Sequence, residues 1–238
     1  MRKLLCLILV LALVTVPVTA AEYEAKSWVL MDAATGTVLE KGNEQEKLAP
    51  ASVTKVMTLL LIMEAIDSGQ IGWGDMVTAS EAAAAKGGSQ VFLKAGESMT
   101  VEDMVKSIAV SSANDCACAM AEHLAGSEEA FVEQMNTRAK ELGMENTHFV
   151  NPDGYHHEDH YTCLQDLLTI GKLSLATDLI RETVCMTEYS VTLTADRTLT
   201  WKNTNLLMLE SDAHYCASAI GMKTGYTMAA GRTLVTCA

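Results

Sequence analysis

The segment Ser52-Val-Thr-Lys55 opens a long apolar run and sets a hydroxyl and an amine three residues apart. On a helix, residues at that spacing share a face, so a serine nucleophile would stand beside a group able to take its proton. The run that follows (Val56, Met57, Leu59, Leu60, Leu61, Ile62, Met63, Ala65, Ile66) is apolar on nearly every side, which marks a helix buried in the core. Lys55 is its only cation. Burial disfavours the ammonium and leaves a neutral amine, a usable base near neutral pH. Ser52 falls in the first turn, where free N–H groups and the helix dipole favour developing negative charge. The competing reading is a helix-start serine with a snorkelling lysine, and four residues alone do not separate the two.

Two further motifs do. Ser112-Ala-Asn114 follows an apolar segment, and Lys223-Thr-Gly225 lies in a strand-like stretch. Separately, Ser112 reads as a helix cap and Lys-Thr-Gly as a turn at a strand end. In this order and at this separation the three match the pattern of serine penicillin-binding enzymes. The segments Pro50-Ala-Ser52-Val-Thr-Lys55-Val-Met-Thr58, Gly88-Ser-Gln-Val-Phe92, Ser112-Ala-Asn-Asp115, Asn151-Pro-Asp-Gly154 and Gly221-Met-Lys-Thr-Gly-Tyr-Thr227 extend the match. From about Ser27 to the last residue the chain resembles the serine-type D-alanyl-D-alanine carboxypeptidases of peptidase family S11, the low-molecular-mass penicillin-binding proteins.

That resemblance implies acyl transfer to Ser52, with Lys55 as base and Ser112 passing a proton to the departing D-alanine. Asn114 would orient the substrate amide or the lysine side chain. Lys223 would supply positive potential to the substrate's terminal carboxylate and Thr224 a donor to it. Gly225 would let substrate lie close against its strand, and the backbone N–H groups of Ser52 and Tyr226 would form the oxyanion pocket. The implied partners are peptidoglycan stem peptides, with β-lactams as covalent inhibitors and no cofactor or metal. Two other functions compete: a β-lactamase, which needs a further positioned carboxylate that is not evident between Ser112 and Lys223, and a non-catalytic wall-binding or antibiotic-sensing module. His156, His157 and His160 lie near Asp153, Glu158 and Asp159; in a polar loop they read as solvated histidines rather than a metal site. Arg232 reads as a surface strand charge.

The elements that must position these groups are legible in part. Ser27 to Asp32 and Thr37 to Lys41 read as strands joined by Ala33-Ala-Thr-Gly36, with Gly36 in a left-handed turn. The buried helix spans Ser52 to about Asp67, with Gly69 as its stop. Thr100-Val-Glu-Asp103 reads as a capping box opening a helix to Val110, and a helix from Ala113 to about Leu124 leaves Ser112-Ala-Asn114 in the turn between. Ser127 caps a helix with an apolar stripe of Phe131, Met135 and Leu142. Thr162-Cys-Leu-Gln165 reads as another box, opening a helix to about Leu175. Strands return at Tyr189 to Leu193, Ser218 to Thr224 and Arg232 to Thr236. Strands at both ends around a helical block imply an α+β fold, an antiparallel sheet flanked by helices with a helical lobe, and a cleft between sheet and lobe would gather the three motifs. This is the β-lactamase/DD-peptidase arrangement that the resemblance implies.

Met1 to Ala20 reads as a secretory signal: Arg2 and Lys3, an apolar stretch from Leu4 to Val16, and Val18-Thr-Ala20 as a cleavage site. Residues 21–238 then form one catalytic domain, exported to the cell wall or the outer face of the cytoplasmic membrane. The formal charge of −13 argues against nucleic acid. Six cysteines follow the signal: Cys116, Cys118, Cys163, Cys185, Cys216 and Cys237. An even count in an exported chain permits disulfides, but the spacing has no zinc pattern, and mostly reduced, buried thiols are the favoured reading. Thr233-Leu-Val-Thr-Cys-Ala238 ends inside a strand. In the family it resembles, a further strand between the first and last strands and a closing helix follow, and many members add a β-rich domain and an amphipathic membrane anchor. The expectation is therefore a catalytic domain missing its C-terminal end, an incomplete sheet whose first and last strands are not hydrogen-bonded to each other, and no membrane anchor within this chain.

Overall fold

The computed structural model describes residues 24–194 and 196–238; the signal read at Met1 to Ala20 lies outside them. Two hairpins bracket a helical block. β1 (Trp28–Met31) pairs antiparallel with β2 (Val38–Gly42). The turn between them has Gly36 at φ 75°, a conformation that costs glycine no Cβ clash. At the other end β7 (Gly221–Thr227) pairs with β8 (Gly231–Cys237) over seven residues. The hairpin β3 (Met76–Thr78) and β4 (Ser98–Thr100) and the hairpin β5 (Glu188–Thr194) and β6 (Arg197–Lys202) make two further antiparallel pairs. Among the described residues β1 pairs only with β2 and β8 only with β7, so the first and last described strands are unjoined, as the sequence predicts.

The centre of the core is α1 (Lys55–Asp67), with Met57, Leu60, Ile62 and Met63 essentially inaccessible to solvent. Each such side chain stabilises the fold by roughly 1.5–3 kcal/mol relative to exposure. Gly69, at φ 75°, ends the helix, and the N–H of Gln70 reaches back to Ala65 O at 2.9 Å. Around α1 pack α3 (Val101–Val110), α4 (Asn114–Ala125), α5 (Glu128–Glu141) and α6 (Leu164–Ala176). The short α2 (Glu81–Ala84) and α7 (Asp178–Val184) complete the α-helices among the described residues. Thr100 and Ser127 cap as expected, accepting from Asp103 N and Ala130 N.

Several expectations need correction. The apolar run does not begin as α-helix: residues Ala51–Thr54 form a 3₁₀ turn and α1 starts only at Lys55. The capping position of α6 is Cys163, not Thr162. Thr162 is committed elsewhere, in a bridge with Leu48 and a hydroxyl contact to Thr147 at 2.7 Å, so tertiary pairing outcompetes the local cap. Likewise β7 begins at Gly221, three residues after the expected start. The six cysteines are free thiols, but only Cys116, Cys118 and Cys163 are buried; Cys185 is exposed, and Cys216 and Cys237 are half-buried. Arg232 is exposed as expected, its guanidinium 5.8 Å from the Tyr226 ring centroid.

Candidate active site

The 3₁₀ turn is what brings the first pair together. In a 3₁₀ turn residues i and i+3 eclipse each other, and Lys55 Nζ lies 3.0 Å from Ser52 Oγ. The turn is held in place by glycines on two other segments. Gly154, at φ 81°, leaves no room for a Cβ, which would sit 1.9 Å from Ala51 O. A Cβ at Gly225 would meet Ser52 N at 2.8 Å and Thr233 Oγ1 at 2.4 Å. β7 therefore runs directly against the backbone N–H of Ser52, with Tyr226 the next residue along it, and Thr233 Oγ1 on β8 donates to Pro50 O at 2.9 Å.

Lys55 is completely buried and has three partners. Besides Ser52 Oγ, its Nζ donates to Asn114 Oδ1 and to the backbone oxygen of Asp153, both at 2.6 Å. Asn114 is fixed in turn, since its Nδ2 donates to Gly87 O at 2.7 Å and its backbone N–H to Ser89 O at 2.7 Å. Because Gly87 O can only accept, the side-chain oxygen of Asn114 must face the lysine. The neighbouring Asp115 carboxylate accepts the N–H groups of Val91, Leu93 and Cys116, which pins residues 87–93 against the N-terminus of α4. Thr58 Oγ1 donates to Pro152 O at 2.6 Å, and Asn151 Oδ1 accepts from Gly154 N at 2.7 Å, so α1 and the 151–154 turn clamp each other.

The charge balance follows from burial. Burial pushes the Lys55 ammonium down to about 8, opposed chiefly by the negative charges of Asp153 and Asp115. Two acceptors on Lys55, Asn114 Oδ1 and Asp153 O, cannot donate. A neutral amine would give both N–H bonds to them, leaving its lone pair for the hydroxyl proton of Ser52. Burial likewise holds Lys223 well below the usual lysine range, and the charge of Lys55 adds to the effect.

The other motif residues lie in the turn before α4 and along β7. Ser112 sits at φ 64° in the turn between α3 and α4, buried, with no hydrogen-bond partner for its hydroxyl among the described residues. Such a conformation in a non-glycine residue costs of order 1 kcal/mol and clusters at functional sites. Lys223 Nζ donates to Thr224 O at 2.9 Å, and the Thr224 hydroxyl lies 2.7 Å from that of Thr204. Tyr226 is exposed.

The histidine expectation divides. His156 and His157 are exposed, but His160 is buried, contrary to the solvated reading. Its Nδ1 accepts from Val150 N at 3.0 Å, so Nε2 carries the proton and donates to Thr54 Oγ1 at 2.7 Å. Burial, then the charges of neighbouring histidines and Lys55, push it down to about 4. It supports the nucleophile turn from behind. No group of three metal-ligating side chains occurs among the described residues. Sequence reasoning gave no role to Gly87, Asp153 O or Thr204. Gly87 and Asp153 act through backbone oxygens, which any residue type supplies, and Thr204 lies twenty residues from its partner with no motif around it.

Comparison with known proteins bears on the family to which the chain belongs. Residues 14–238 match the peptidase S11 model, described as D-alanyl-D-alanine carboxypeptidase. The D-alanyl-D-alanine carboxypeptidase DacF of Bacillus subtilis (strain 168) is 47% identical over 205 residues, covering 86% of this chain and 51% of the relative. DacC of Escherichia coli (strain K12) is 37% identical over 227 residues, covering 93% of this chain and 55% of the relative. The chain thus spans about half the length of these curated relatives. Among solved structures, penicillin binding protein 5 from Haemophilus influenzae superposes with a TM-score of 0.83 at 31% identity, over 92% of this chain and 62% of that one. On the family match and these identities, the chain belongs to the peptidase S11 family of D-alanyl-D-alanine carboxypeptidases.

Proposed function

We propose that this chain carries a serine D-alanyl-D-alanine carboxypeptidase site acting on peptidoglycan stem peptides. Ser52 Oγ attacks the carbonyl of the penultimate D-alanine while Lys55 takes its proton. The tetrahedral oxyanion is held by the backbone N–H groups of Ser52 and Tyr226. Collapse releases the terminal D-alanine, whose amine receives a proton through Ser112, and water then hydrolyses the Ser52 ester. Asn114 orients Lys55, and Lys223 with Thr224 receives the substrate carboxylate, whose charge would draw Lys223 back toward its ammonium form. Gly225 keeps the β7 side of the cleft open to the peptide. β-Lactams would acylate the same serine. The observation that carries the reading is the completely buried Lys55 amine, 3.0 Å from Ser52 Oγ, with its two other partners pure acceptors.

Two features weigh against the β-lactamase reading. The Asp153 side chain accepts from Tyr155 N and faces Lys86, and among the described residues no carboxylate hydrogen-bonds to Ser52 or Lys55. Export to the outer face of the membrane follows from the signal-like N-terminus; no described helix is long and apolar enough to cross a membrane. The test is release of D-alanine from a diacylated D-alanyl-D-alanine tripeptide. Release that disappears in Ser52→Ala supports the proposal, and a chain that is acylated by penicillin yet frees no D-alanine would make it a sensor instead.

A further inference from the structure

Two segments that hold Lys55, the one that fixes Asn114 and the turn at Asp153, meet at one other lysine. Lys86 follows α2 and immediately precedes Gly87, whose oxygen holds Asn114. Its Nζ donates to both carboxylate oxygens of Glu128, at 2.7 and 2.6 Å, at the start of α5. It also lies 3.8 Å from Oδ2 of Asp153, the residue whose backbone oxygen accepts from Lys55. Asp153 is buried, and its other carboxylate oxygen accepts from Tyr155 N at 2.7 Å. Lys86 is thus the only cation ion-paired to the Asp153 carboxylate among the described residues, and it sits outside the motif residues.

We infer that Lys86 is a positioning residue for the Ser52–Lys55 pair: anchored by Glu128, its ammonium ties residues 87–93 to the 151–155 turn and offsets the Asp153 carboxylate that would otherwise hold Lys55 as an ammonium. This rests on the function proposed above. The charged and titratable groups facing Lys55 are Asp153 on the turn, Asp115 and Cys116 on α4, Lys223 on β7, and His160. Those facing Lys86 are Glu128 and Glu129 on α5, Cys118 on α4, and Asp153. Asp153 is the only group common to both sets. Two oppositely acting neighbours of Lys55 are therefore separable: Asp153 favours the ammonium directly, and Lys86 acts on Lys55 through Asp153. The hydrogen bond to Glu128 and the surrounding negative charges keep Lys86 itself charged, outweighing its partial burial.

The test is the pH dependence of acylation of the full chain by a fluorescent penicillin. Lys86→Met should move the midpoint of the acidic limb up by roughly half to one pH unit, an effect of the size expected when an opposite charge near a lysine loses its screening partner. Lys86→Arg should leave it in place. Asp153→Ser should move the limb down, and in that background Lys86→Met should no longer shift it. A Lys86→Met limb that stays put while the plateau falls would overturn the inference, because it reports a merely structural role. Should Lys86→Met fail to fold, judged by its melting transition, the Asp153→Ser limb decides, and an unshifted limb there equally overturns it. Peptide mapping of the labelled site separates the two readings: label away from Ser52 defeats the proposed function, whereas label on Ser52 with unmoved limbs defeats only this inference.

Discussion

Adding one methyl group at Gly154 should disable the nucleophile without altering Ser52, Lys55, Ser112, Asn114 or any residue of β7. The Cβ of Gly154→Ala would lie 1.9 Å from Ala51 O, 2.4 Å from Ala51 C and 3.0 Å from Ser52 N, all backbone atoms, at a residue with φ 81°. Real Cβ contacts essentially never fall below 3.0 Å, so the 151–154 turn and the 3₁₀ turn must part by about 1 Å. That movement pulls Asp153 O away from Lys55 Nζ and shifts the Ser52 N–H together. A misplacement of about 1 Å can cost ~10²-fold in rate, and alanine at positive φ adds roughly 1 kcal/mol of strain. The assay is the second-order rate of acylation by a fluorescent penicillin, read beside the melting temperature. We expect a loss of about a hundredfold in protein that still folds cooperatively. A folded Gly154→Ala chain acylated within about threefold of the parent rate, a difference under 1 kcal/mol, would refute the claim that this contact sets the position of Ser52.

Three further outcomes follow from the same contacts. Acylation by penicillin should rise with pH through about 8, because the neutral amine of Lys55 is the reactive form and burial lowers it to that value; a flat profile from pH 6 to 9 contradicts this. Lys55→Ala should lower the acylation rate by roughly 10²–10⁴-fold, the contribution of a positioned general base, and a near-normal rate would move that role elsewhere. His160 is pushed down to about 4 from 6.5, so between those pH values the unfolded chain binds the extra proton. Stability from this group is complete above pH 6.5, is lost as pH falls toward 4, and amounts to about 3 kcal/mol. Denaturant unfolding at pH 7 and pH 4.5 should show a smaller drop for His160→Gln than for the parent, and equal drops would show that His160 is not the group responsible.

The sequence discloses the chemistry more fully than the architecture that delivers it. Ser52, Lys55 and Asn114 do converge, because their spacing and the apolar run after them leave a buried lysine few alternatives. Ser112 and Lys223-Thr-Gly225 were legible only as a set, since each alone has an ordinary local explanation. The β3–β4 hairpin, the strand β6 that pairs with the legible β5, and the short α2 and α7 leave no clear signal, because they are short and their pairing is decided by packing. The 3₁₀ turn at Ala51–Thr54 was read as α-helix because residues three apart come close in both geometries. His160 illustrates the limit of composition. In a polar segment beside two exposed histidines, it is buried by its contacts with Thr54 and Val150, two positions 106 and 10 residues away.

The central claim is that Ser52 is the residue which forms the acyl intermediate. Incubating the chain with benzylpenicillin, then digesting it and mapping the modified peptide by mass spectrometry, tests this directly. The expected outcome is one penicilloyl adduct, on the peptide containing Ser52, absent from Ser52→Ala. An adduct on Ser112 or any other residue, or one that persists in Ser52→Ala, would contradict it.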